Sequence, residues 1–262
     1  MDYSIIIAPL VAIHAMIPPL SVVCRYEEIP PLFSTLYQLL PPSVNLKFVQ
    51  SLTLDPSNIT PQTLFTHMLV HQDYNHLLSN LLGLLLNGFL AHNVFGFSAA
   101  QVYAIYLFGG AFAVIPRSPP PSPPGGLIDE ALRVVKGKLK SFQRICGASG
   151  GVMALIGANT VMEVVALTKY TSNQRKHESG DKHANQRSLG SAALSVASLM
   201  NTFSVILRDW EGSVNNEKAL LPFSQVHHEG HLQGFVFGAS FAALFGVLIP
   251  SFIRSRKNRV RM

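Results

Sequence analysis

Charge is scarce in this sequence. Only 13% of its 262 residues are Asp, Glu, Lys or Arg, while 48% are hydrophobic and the mean hydropathy is +0.29. Soluble domains carry about a quarter charged residues, so a deficit this large means that most of the surface does not face water. Cysteine is nearly absent. Cys24 and Cys146 are the two present, and they form neither a disulfide framework nor a metal-ligand spacing. No arginine precedes Arg25, and Met1-Asp2-Tyr3 has no basic run. The N-terminus therefore resembles neither a cleaved signal peptide nor an Arg-rich mitochondrial transit peptide. The first apolar run is expected to stay in the protein, and an endomembrane or the plasma membrane is favoured over the mitochondrial inner membrane. No repeat of fixed period occurs.

What the chain does contain is apolar runs. Six are long enough to be read as spans, which need about 20 mainly apolar residues. They cover residues 3–24, 64–91, 99–115, 145–169, 189–207 and 226–252. Pro9, Pro18 and Pro19 interrupt the first, and the second is polar in its first half. The expected fold is an all-α membrane protein with a six-helix bundle. Residues 1–62 supply the first span and a proline-rich loop that lies in the membrane interface, residues 63–253 the core of the bundle, and 254–262 a basic tail. Within the core, residues 116–144 are an insertion that opens with the stiff tract Arg117-Ser-Pro-Pro-Pro-Ser-Pro-Pro-Gly-Gly126.

The net charge of +6 and pI near 9.4 do not indicate nucleic acid. Basic residues cluster at 133–144, 169–187 and 254–261, beside apolar runs, as membrane-flanking charge does. Six spans put both termini on one side. The basic tail and the 169–187 loop then face the cytosol, while the 116–144 loop, with six basic residues, violates the positive-inside preference.

Polar groups inside spans are costly and are functional candidates. The second span holds His67, His71, His76 and Asn80. His76 and Asn80 are four apart and share a helix face, and Asn80 falls among leucines without an obvious partner. His67 and His71 stand equally well as helix-end histidines bonded to backbone or water. The fourth span opens with Gly147-Ala-Ser-Gly-Gly151, which matches the G-x-S-x-G nucleophile elbow of soluble hydrolases. The basic stretch 138–144 before it and the apolar Val152–Ala158 after it make the serine the start of a membrane helix instead. Taken alone the pentapeptide is equally a helix-packing motif. The sixth span carries His231-Leu-Gln-Gly234 and Gly238. Gly230, Gly234, Gly238, Ala242 and Gly246 recur every four residues, as do Gly150, Ala154 and Ala158 in the fourth span. Small residues at that period let membrane helices approach closely. Ser149 and His231 then lie beside the contact, each 20 residues from the basic or polar end at Lys169 or Ser251, about 30 Å of helix. Such a pair meets the needs of nucleophilic catalysis.

These three separated motifs, in this order, resemble the rhomboid family over residues 60–246: His71, His76 and Asn80; Gly147-x-Ser149-Gly150; and His231-x-x-Gly234-x-x-x-Gly238. The resemblance implies an intramembrane serine endopeptidase that cuts single-pass membrane proteins near the membrane surface. Ser149 would be the nucleophile and His231 the base, without a third carboxylate. The Ser149 backbone N–H and the Asn80 and His76 side chains would stabilise the oxyanion. His71, Gly147, Gly150, Gly234 and Gly238 would support the site. No cofactor or metal is implied, and the partners are substrate spans and the bilayer. Three features depart from the family. Pro61-Gln-Thr-Leu-Phe65 replaces a Trp-Arg motif, Met153 replaces a tyrosine, and the 116–144 insertion is long. Two other classes compete: a catalytically inactive rhomboid-like chaperone, which would be expected to lose the serine or the histidine, and a metal-handling membrane protein using His67, His71 and His76. The latter lacks both His-Glu-x-x-His and an intramembrane carboxylate to complete a site.

Overall fold

A computed structural model describes residues 3–24, 28–29, 31–38, 46–56, 58–115, 145–174, 198–200, 202–207 and 228–250. The 116–144 insertion, residues 175–188 of the charged loop, the first part of the expected fifth span and the basic tail lie outside the described residues.

Among the described residues helix falls within each of the six expected segments, the fifth only over its last part, Ser198–Leu207. Three of the helical stretches, Tyr74–Val94, Ser149–Lys169 and His228–Leu248, are 21 residues each, about 31 Å of rise and enough for a bilayer's hydrocarbon core of about 30 Å. The helices used below are α1 (Tyr3–Met16), α2 (Leu20–Val23), α3 (Pro31–Gln38), α4 (Leu46–Leu52), α5 (Thr63–Thr66), α6 (Tyr74–Phe89), α7 (Ala99–Phe112), α8 (Ser149–Gln174) and α9 (His228–Phe241). A shorter apolar helix, Ser198–Leu207, falls between the last two. Among the described residues no strand forms, and β pairing is limited to one antiparallel bridge between Leu54 and Ile145. The protein is an all-helical membrane bundle.

Local sequence explains the breaks. Pro18 and Pro19 end α1, because proline has no N–H and cannot follow a helical residue without a clash. The chain restarts at α2, whose first amides have no partner within their own helix. Leu20 N–H donates instead to the His71 carbonyl at 2.9 Å, and Ser21 N–H to the Gln72 carbonyl at 2.8 Å. This pairing corrects the expected second span. The chain leaves helical geometry after Leu69, with Val70 extended, and α6 begins only at Tyr74. Asp73 is its N-cap, accepting from the His76 amide at 2.7 Å. His67 and His71 therefore precede the span rather than belong to it. α7 starts with a capping box in which Ser98 and Gln101 satisfy each other's orphan amides.

α8 is the central helix and packs against α9, α7 and α6. Water is no driving force between such helices, so close contact and polar ties hold them. Asn159 Nδ2 on α8 donates to the Asn87 carbonyl on α6 at 2.9 Å. Ser198 Oγ donates to Glu163 Oε1 at 2.8 Å, tying the Ser198–Leu207 helix to α8. Tyr3 O–H donates to the Leu85 carbonyl at 2.7 Å, tying α1 to α6. The outward side of α6 carries exposed Leu78, Leu82, Leu86 and Phe89, apolar side chains suited to lipid.

Candidate active site

The contact between α8 and α9 fixes the site. Gly234 lies against the Gly150 backbone, and Gly238 against the Ala154 backbone. A Cβ at either glycine would run into main-chain atoms that cannot move aside, so glycine is required there. The two helices run parallel with a constant offset. In that register His231 stands level with residue 147, about 3 Å of helical rise beyond Ser149. The serine and histidine singled out from the sequence thus sit at the same end of one tightly packed helix pair. Ser149 is the first residue of α8 and is half-buried, as is His231. The Ser149 hydroxyl makes no hydrogen bond among the described residues, so its contact with His231 is not closed in this structure. Such bonds are often long before substrate binds.

The turn before Ser149 is tied down from two sides. Gly147 N–H donates to the His67 carbonyl at 3.0 Å, and Ile145 exchanges both backbone bonds with Leu54, at 2.8 and 3.0 Å. Gly147 has φ = 114°, a left-handed value suited to glycine. Its bare face is covered by the His76 ring. A methyl group there would lie 2.5 Å from His76 Cε1 and 2.8 Å from Nε2. His76 therefore turns its Cε1–Nε2 edge toward the serine turn, with Nδ1 farther off at 3.6 Å. Cys146 packs beside Val49, Leu52 and Val70, on the wall formed by α4.

Asn80 is buried on α6, and its amide has a partner that the sequence did not suggest: Nδ2 donates to the His76 carbonyl at 2.9 Å. One N–H of the amide remains for another acceptor. His67 takes the ordinary helix-end arrangement, with Nδ1 3.0 Å from the Thr63 carbonyl. His71 is fully buried, its ring 5.3 Å from that of His76. Met153 is buried in place of the expected tyrosine. Glu229, in the first turn of α9, accepts from Gln233 Nε2 at 3.3 Å.

The family model for the rhomboid domain matches residues 60–248, most of the chain. The chain belongs to the rhomboid family. Neither the curated proteins nor the solved structures compared with it contain a match. The rhomboid family includes both intramembrane proteases and inactive members. The matched residues of this rhomboid chain contain all three motifs.

Two residues escaped the sequence reading. His14 on α1, outside the rhomboid match, is buried, with its ring 5.5 Å from that of His71. Its Nε2 is 2.6 Å from the hydroxyl of buried Tyr106 on α7. An ionisable residue in the apolar run 3–24 was the available signal. Among the described residues, no group of three or more His, Cys, Asp or Glu side chains has the arrangement of a metal site.

Proposed function

We propose that this rhomboid protein is an active intramembrane serine endopeptidase. What supports the reading is the α8–α9 register, with Gly234 on Gly150 and Gly238 on Ala154, because it brings a serine and a histidine to the same end of a helix pair, within about 3 Å of each other in height. In this reading Ser149 Oγ attacks the scissile carbonyl and His231 takes the hydroxyl proton. The carbon–nitrogen bond then breaks as His231 returns that proton to the leaving amine. Water repeats the sequence to release the acyl group. The developing oxyanion is met by the Ser149 backbone N–H, the free N–H of Asn80 and His76 Nε2–H, at the positive end of the α8 dipole. His71 and the close-packed Gly147, Gly150, Gly234 and Gly238 hold these groups in place. No cofactor takes part. The substrates are single-pass membrane proteins cut near the membrane surface, in an endomembrane or the plasma membrane. The site has no role toward nucleic acid.

The test is cleavage of a reporter span by protein reconstituted in vesicles. Ser149→Ala and His231→Ala should each abolish cleavage while membrane levels stay normal. Full activity in Ser149→Ala would end the protease reading. Wild-type protein inert on every reporter would favour the inactive-chaperone class.

A further inference from the structure

A line of aromatic rings runs from α7 to the serine turn. Tyr106, His14, His71 and His76 follow one another with ring centroids 5.9, 5.5 and 5.3 Å apart, each pair edge to face. Four ring nitrogens along it are buried without a hydrogen bond: His14 Nδ1, both nitrogens of His71, and His76 Nδ1. The Leu69 carbonyl is near the His71 ring but not in hydrogen-bond geometry. Buried polar groups are rarely left unpaired, and each of these rings has its neighbour's in edge-to-face contact.

Proton direction along this line can be worked out. Tyr106 is buried, and among the described residues His14 Nε2 is the partner of its hydroxyl. If Nε2 carried the proton, the buried phenolic O–H would have no acceptor, and an unmade buried donor is the costlier arrangement. Tyr106 therefore donates, and the proton of neutral His14 is on Nδ1. That N–H needs an acceptor, which a bare nitrogen of His71 supplies. The other His71 nitrogen is then N–H and can donate to His76 Nδ1. With that bond made, His76 holds its proton on Nε2, on the Cε1–Nε2 edge that faces Gly147.

We propose that His14, held by Tyr106, is a positioning residue that sets the tautomer of His76 through His71, so that His76 presents an Nε2–H donor to the serine turn. The proposal deepens the protease reading and rests on it only for its kinetic consequence.

The test uses full-length protein in lipid nanodiscs with 15N-labelled histidine, each signal assigned from single His→Gln variants. Protonated and bare ring nitrogens give well-separated signals. Wild type should show His14 as the Nδ1–H form and His76 as the Nε2–H form alone. His14→Phe and Tyr106→Phe should each leave His76 a mixture of tautomers. In the cleavage assay His14→Phe should lower kcat about tenfold, the worth of one buried hydrogen bond, with KM unchanged. His14→Asn should restore both signals and rate, because its amide N–H stands where Nδ1–H stood, and a merely space-filling role would not favour Asn over Phe. Thermal unfolding of each variant identifies a misfolded one, and the remaining variants then decide. An unchanged single His76 tautomer in His14→Phe, or Asn no better than Phe, would overturn the proposal. If wild type cleaves nothing, the protease reading fails while the spectra still decide this one.

Discussion

At the scale of single residues, the candidate site groups stand out in the sequence, because a polar residue in an apolar run is conspicuous. Ser149, His231, His76 and Asn80 were found that way. What one dimension hides is the partner. Asn80 looked unpartnered among leucines, yet its amide donates to the His76 carbonyl one turn back. That bond aims the side chain along α6 and leaves one N–H, which the proposed protease would offer to the oxyanion. Asn80→Ala should therefore lower kcat by roughly a hundredfold, about 3 kcal/mol, as loss of one preorganised donor does. KM should barely move, since the contact strengthens only as charge develops. Steady-state kinetics on a reporter span measures both, and a raised KM with unchanged kcat would remove Asn80 from this role. The histidines also invite a metal reading. A serine–histidine mechanism needs no ion, so dialysis against a chelator should leave the rate unchanged. Stoichiometric zinc in purified protein, lost on His71→Ala, would revive the metal-handling class.

At the scale of elements, small residues every four positions announced the α8–α9 contact, and the structure supplies the register. The start of the second span was not legible in the same way. Leu64–Val70 is apolar enough to be read as continuous with α6, but the carbonyls of His71 and Gln72 are taken by the first amides of α2, and Asp73 caps a new helix. The first event depends on residues 51 positions away in sequence, which periodicity cannot report; the second is a local cap, Asp73 to the His76 amide, that a reading by apolar runs passes over. The register itself makes a prediction that separates backbone from side-chain crowding. At Gly238 an added Cβ meets the Ala154 main chain, whereas at Gly246 the nearest atom is the Met162 sulfur at 3.0 Å, on a flexible side chain. Gly238→Leu should force the helices apart, costing about 3 kcal/mol or more, and should abolish cleavage with it. Gly246→Ala should be nearly neutral, because the thioether can rotate away. Thermal unfolding in detergent compares the two. Equal losses at both positions would mean that the contact tolerates separation and does not set the geometry of the site.

At the scale of the whole molecule, the decisive feature is where Ser149 lies in the bilayer. It is the first residue of a 21-residue membrane-length stretch, so the nucleophile of the proposed protease stands at the end of a span, not at its middle. A peptide bond reaches it only at or just below the membrane surface. A substrate helix hides its carbonyls in its own hydrogen bonds, and lipid offers those carbonyls no other donors. Exposing one bond for attack therefore requires local unwinding, whose cost depends on helix propensity near the outer end of the substrate span. Gly lowers that cost by about 1 kcal/mol per residue relative to Ala, and Pro by more. Two reporters that differ only in this stretch, one leucine-rich and one carrying a Gly-Ala pair, should therefore be cut at different rates, the second several-fold faster, with a small residue preceding the cut. The comparison is made at equal reporter density in the same vesicles, with Ser149→Ala as the blank. Equal rates would mean that unwinding does not limit the reaction. Access to Ser149 would then be set elsewhere in the molecule, and the choice of substrate by something other than the stability of its helix.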